Sequence, residues 1–147
     1  MTLRRALIFL LVAAFSACAR VGSTPGASTP SPDQIEFTIS VGESTSGDIT
    51  IALGILNDSS MTLPADRYRP SWTLSTSDGE PRASGEGLLP EIEPTRGEPH
   101  NVIIWEGPLD PGSYILQWGV PELGSTVARF ELVSGDDGLH LESFSKD

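Results

Sequence analysis

Apolar and polar residues alternate with a period of two along much of this chain. Ile35, Phe37, Ile39 and Val41 interleave with Glu36, Thr38 and Ser40, as a strand buried on one face requires. Asp48–Leu56 repeats the pattern, with Ile49, Ile51, Leu53 and Ile55 on one side. Further strands are expected at Ser71–Thr76, carrying Trp72 and Leu74, and near Arg82–Leu89. Asn101–Trp105 reads as a short buried strand, followed by Ser113–Trp118 and Thr126–Val133. In the last of these, Ala128, Phe130 and Leu132 form the core face, with Arg129 and Glu131 outward. Pro90 and Pro94 place the fourth strand at a sheet edge. Turn residues separate the runs at Asn57-Asp58-Ser59-Ser60, Ser77-Asp78-Gly79-Glu80, Pro111-Gly112 and Gly124-Ser125. No segment keeps a helical period over ten residues. The pattern therefore predicts an all-β, antiparallel β-sandwich of about seven strands over residues 34–134. Residues 135–147 read as a polar tail in which Leu139, Leu141 and Phe144 supply at most a weak extra strand.

The alternation is absent before Gln34. Arg4 and Arg5 precede the apolar run Leu7–Phe15, which is shorter than the roughly 20 residues of a membrane span. Phe15-Ser16-Ala17-Cys18 follows. This leader resembles a bacterial lipoprotein signal peptide, with phenylalanine where leucine is usual. The resemblance implies cleavage after residue 17 and lipidation of Cys18. A diacylglycerol on Cys18 would anchor the chain on the extracytoplasmic side of a membrane, since two acyl chains suffice for stable attachment. Residues 19–33 are dominated by Gly, Ser, Thr and Pro and read, with Cys18, as a flexible tether spanning 18–33. One cysteine permits no disulfide within the chain.

Charge narrows the partners. The chain has nine basic and twenty acidic residues, a formal charge of −11. Removing residues 1–17 takes Arg4 and Arg5, leaving seven against twenty and a formal charge of −13. Nucleic acid is excluded as an expected partner, because phosphate backbones require basic patches. Direct adsorption to anionic headgroups is disfavoured for the same reason. The expected contacts are the membrane, through the lipid anchor, and a protein partner.

No catalytic constellation stands out. The two histidines, His100 and His140, lie forty positions apart, and no metal site or cofactor is expected from them. Asp136-Asp137-Gly138 lacks the spacing of a calcium loop. Glu91 and Glu93 share a face in an extended segment, without the other parts of a sugar-cleaving cleft. Gly85-Glu86-Gly87 has neither the lysine nor the helix of a phosphate loop, and no G-x-S-x-G step occurs. Trp72, Trp105 and Trp118 read as core residues; their alternative role is a carbohydrate-binding surface. The loops Asp58–Arg69 and Glu91–His100 carry Arg67, Tyr68, Arg69 and Arg96, residue types favoured at interfaces.

Four turn motifs carry a second resemblance. They are Asn57-Asp58-Ser59, Ser77-Asp78-Gly79-Glu80, Ile92-Glu93-Pro94 with Gly97-Glu98, and Trp105-Glu106-Gly107 running on to Leu109-Asp110-Pro111-Gly112-Ser113-Tyr114. Their order is similar to that of the BsuPI-type family, named for an intracellular proteinase inhibitor. Thr95-Arg96 is inserted relative to that pattern. The resemblance implies an immunoglobulin-like sandwich without catalytic residues, and proteinase inhibition as an alternative to general protein interaction. Independently of it, Pro111 fixes φ, Gly112 permits positive φ, and Tyr114 is placed to make a tyrosine corner.

Overall fold

A computed structural model describes residues 30–43, 48–95, 97–136 and 138–147. A short 3-10 turn at Pro32–Gln34 leads into eight strands. They are β1 (Ile35–Glu43), β2 (Ile49–Asn57), β3 (Ser71–Thr76), β4 (Pro81–Glu86), β5 (His100–Gly107), β6 (Gly112–Val120), β7 (Gly124–Gly135) and β8 (Gly138–Lys146). One sheet has the order β1-β2-β5 and the other β4-β3-β6-β7-β8. Every neighbouring pair is antiparallel. The chain is an all-β sandwich of two antiparallel sheets, compatible with an immunoglobulin-like arrangement.

The period-two residues explain why the sheets face each other. Ile49, Ile51, Leu53 and Ile55 on β2 are fully buried, as are Leu116 and Trp118 on β6 and Ala128 on β7. Each large apolar side chain removed from water contributes about 1.5–3 kcal/mol. Trp118 joins the layers twice. Its ring meets Phe37 edge-on at 5.4 Å, and its Nε1 donates to the Gly54 carbonyl on the facing sheet at 3.3 Å. Outward positions on β7 are Arg129 and Glu131, both exposed, as the alternation predicts.

Three stretches differ from expectation. The segment 101–105 lies in β5, which is the outer strand of its sheet and not a buried one; Ile104 is 63 % exposed. Its consecutive apolar residues reflect a bulge. Leu53 pairs with Ile103 and Gly54 with Asn101, leaving Val102 as the extra residue. Residues 138–146 form a full strand against β7, so the sheet continues past residue 134. The extra strand that Leu139, Leu141 and Phe144 hinted at is present. Their uneven spacing is absorbed by a second bulge, where Leu132 pairs with Leu141 and Glu131 with Ser143. The fourth strand ends at Glu86, short of Leu89, so Pro90 and Pro94 lie beyond it; β4 is nonetheless an edge strand.

β1 and β8 are the outer strands on the same side of the sandwich, and polar side chains fasten them together. Lys146 Nζ donates to Glu36 Oε1 at 2.7 Å. Glu43 Oε1 accepts from the Leu141 backbone N–H at 3.0 Å and lies 3.4 Å from His140 Nδ1.

Candidate functional site

The strand registers set two ends to the sandwich. At one end lie the start of β1 and the end of β2, where Ile35 pairs with Asn57. The same end holds the β6–β7 turn, the start of β5 and the end of β8. The two long connections, 58–70 and 87–99, also cover this end.

These connections are not separate loops. They zip together as an irregular continuation of the β3–β4 hairpin. The Gly87 N–H donates to the Pro70 carbonyl at 3.1 Å, and the Leu89 N–H to the Tyr68 carbonyl at 3.1 Å. The Asp66 N–H donates to the Leu89 carbonyl at 3.0 Å. Leu63 and Ile92 then exchange two backbone hydrogen bonds, at 2.8 and 3.0 Å. Leu63, Tyr68, Leu89 and Ile92 point into the core and close it like a plug.

Asn57 holds the plug to the sandwich. Its side chain is fully buried and makes all four hydrogen bonds an amide can make. Nδ2 donates to the carbonyls of Met61 at 2.9 Å and Ile92 at 3.2 Å. Oδ1 accepts from the Ser59 backbone N–H at 3.2 Å and from Ser59 Oγ at 2.6 Å. The Asn57 backbone N–H donates to Thr95 Oγ1, and its carbonyl accepts from the Thr95 N–H at 2.8 Å. One residue thus ties β2 to both connections.

The sequence-derived site residues separate on this scaffold. Arg67 and Arg69 are exposed. Tyr68 is 3 % exposed and belongs to the core, which corrects its reading as an interface residue. The strand-like alternation of the plug turns every second side chain inward, so Tyr68 is buried between two exposed arginines. Its hydroxyl has no hydrogen-bond partner among the described residues. The Arg67 guanidinium sits 5.4 Å from the Tyr68 ring centroid, within cation–π range. Asp66, just before it, has φ +61°, a left-handed conformation that aspartate tolerates better than most residues. Arg69 borders a groove of about 400 Å³ with Pro70, Glu86, Leu88 and Pro121. Leu88 is 49 % exposed. Cys18 and Arg96 lie outside the described residues.

The opposite end is built from turns. Gly79 in the β3–β4 hairpin has φ +92° and Gly112 after Pro111 has φ +153°, values that glycine adopts without penalty. Tyr114 makes the expected corner, its hydroxyl donating to the Asp110 carbonyl at 2.7 Å. Its ring stacks on Phe130 with centroids 5.3 Å apart. Burial raises the Tyr114 pKa above that of a free phenol, against the nearby Arg82 charge. The Thr76 hydroxyl donates to Asp78 and holds that carboxyl below its ordinary range.

Trp72 and Trp118 are buried and Trp105 is half-buried. A carbohydrate platform needs at least two exposed indoles on one face, which these three do not supply. His100 is at the plugged end of β5 and His140 near the opposite end of β8. Among the described residues, no group of three or more His, Cys, Asp or Glu is placed to hold a metal ion. No helix among them is long and apolar enough to cross a membrane.

Comparison with protein-family models, with curated proteins and with solved structures finds no match for this chain.

Proposed function

We propose that this chain is an extracytoplasmic lipoprotein, anchored through Cys18, whose sandwich is a noncatalytic protein-interaction domain. The leader Arg4–Cys18 and the Gly/Ser/Thr/Pro stretch after it support the anchor. The observation that carries the interaction reading is the plugged end. There, Arg67 and Arg69 project from a backbone that Asn57 and the Leu63–Ile92 bridge hold in place. Exposed arginines on a preorganised support bind with little ordering cost.

Two experiments test the two halves. Metabolic labelling with palmitate should mark the protein and fail on Cys18→Ser; an unlabelled wild-type chain refutes the anchor. Arg67→Glu with Arg69→Glu should abolish partner recovery by crosslinking and affinity purification, while Tyr68 is left in place to preserve the core. Unchanged recovery refutes the site. Proteinase inhibition is the second reading, by the BsuPI-type resemblance of the turn motifs alone. A purified domain that leaves a panel of extracytoplasmic proteases fully active excludes it.

A further inference from the structure

The outer strands of the sandwich are β1 and β5 in one sheet and β4 and β8 in the other. An unpaired strand edge is a template for another chain, and charged side chains or proline blunt it. β1 and β8 blunt each other. Lys146 Nζ donates to the Phe37 carbonyl at 3.4 Å, and Glu43 takes up the Leu141 N–H. β4 opens on Pro81, which has no N–H to offer, and next carries Arg82, ion-paired to Glu80 at 3.4 Å. Among the described residues, nothing pairs or blunts the outer edge of β5. His100–Gly107 contains no proline, lysine or arginine. Its one carboxylate, Glu106, accepts from the Thr50 hydroxyl on β2 at 3.3 Å and so lies back over its own sheet. The bulge at Val102 limits the regular free edge to Ile103–Gly107.

That stretch is apolar on both faces. Ile104 points outward and is exposed, while Ile103 and Trp105 are half-buried against the core. Such an edge is complementary to itself. A two-fold axis through Ile104 continues the sheet with a second copy of β5, antiparallel as its existing neighbour β2 is. Ile104 then stands beside its own counterpart, with Cβ atoms about 4.5 Å apart. Ile103 faces the partner's Trp105, and the same contact recurs across the axis. Charge and the bulge select this register. The two Glu106 carboxylates fall four residues apart along the seam, about 14 Å, beyond the screening length of about 8–10 Å. An axis through Trp105 would set each Glu106 against an isoleucine, and one through Ile103 would run each strand into the other's bulge. The edge Ile103–Gly107 makes a small interface, below about 1,200 Å², so the dimer is weak and builds with concentration.

We propose that the chain pairs with a second copy of itself through β5, with Ile104 on the two-fold axis and the two three-stranded sheets joined into one. This surface is separate from Arg67 and Arg69 and does not depend on how the chain is anchored. The test uses the full chain in intact cells of its source, oxidised with copper phenanthroline. Single variants Ile104→Cys, Glu106→Cys and Ser84→Cys on β4 are compared, all at exposed positions. The wild-type chain, whose only cysteine is Cys18, is the blank. Ile104→Cys should give about tenfold more covalent dimer than either other variant, because a disulfide closes over about 4.5 Å and cannot span about 14 Å. Equal yields from the three positions, no dimer at 104, or a disulfide to a different protein would each overturn the pairing. As a second measurement, the purified full chain in mild detergent should sediment as monomer and dimer, with dimer rising as concentration rises, and Ile104→Lys should sediment as monomer throughout. A wild-type chain that stays monomeric, or a dimer that Ile104→Lys leaves intact, also overturns it.

Discussion

The two ends of this sandwich are held by different means. At the far end, short turns rely on backbone conformation, through Gly79 and Gly112, with one tyrosine hydroxyl as a brace. At the plugged end, two long connections depend on a single buried amide and four inward apolar side chains. Turn geometry is local, so its loss is expected to stay local. The plug is assembled from residues far apart in sequence, from 17 positions for Pro70–Gly87 to 38 for Asn57–Thr95, so its loss reaches β2 and the core together.

The largest effect should follow from Asn57→Ala. It strips partners from Ser59, from the part-buried Met61 carbonyl and from the buried Ile92 carbonyl, and should cost about 3 kcal/mol. Chemical denaturation should show a lower midpoint with an unchanged slope. Tyr114→Phe keeps the stack on Phe130 and removes only the bond to Asp110, for about 1–1.5 kcal/mol. A larger loss from Tyr114→Phe than from Asn57→Ala would invert the contrast between the ends. Gly79→Ala forces a side chain into a left-handed conformation and should cost about 1 kcal/mol, with amide exchange accelerated only around the β3–β4 turn.

The smallest effect concerns Asp78. Its folded pKa is depressed below 3.8. The hairpin bond it makes is therefore complete above that value and lost as pH falls through the folded pKa. Carboxyl titration by NMR should place Asp78 below a free aspartate, and Thr76→Ala should return it upward. No movement in Thr76→Ala would remove the hydroxyl as the cause.

Much of the fold was legible because period two survives wherever one face is buried. β1, β3 and β7 follow from Ile35–Val41, Trp72–Leu74 and Ala128–Leu132. The tyrosine corner was legible from Pro111-Gly112 and Tyr114 alone. β5 and β8 were harder, since a bulge in each pairing breaks the alternation, at Val102 and beside Leu132. The plug was not legible. Pro64, Pro70, Pro90 and Pro94 punctuate it as a loop, and its partners are distant in sequence. Asn57 stands at the start of a polar run and looks like turn chemistry, whereas its burial depends on a strand pairing that ends there. Tyr68, flanked by two arginines, looks exposed; only the Leu89 N–H bonded to its carbonyl reveals a ribbon that turns it inward. The exposed positions of Arg67 and Arg69 follow from composition alone.

The indole that spans the two layers makes the sandwich its own optical gauge. Trp118 is fully buried, its N–H meeting the Gly54 carbonyl and Phe37 abutting its ring, so its emission is expected to be blue-shifted. In a chain with phenylalanine at positions 72 and 105, the colour of that emission follows the gap between the sheets. Loosening of the layers would redden it before either sheet comes apart.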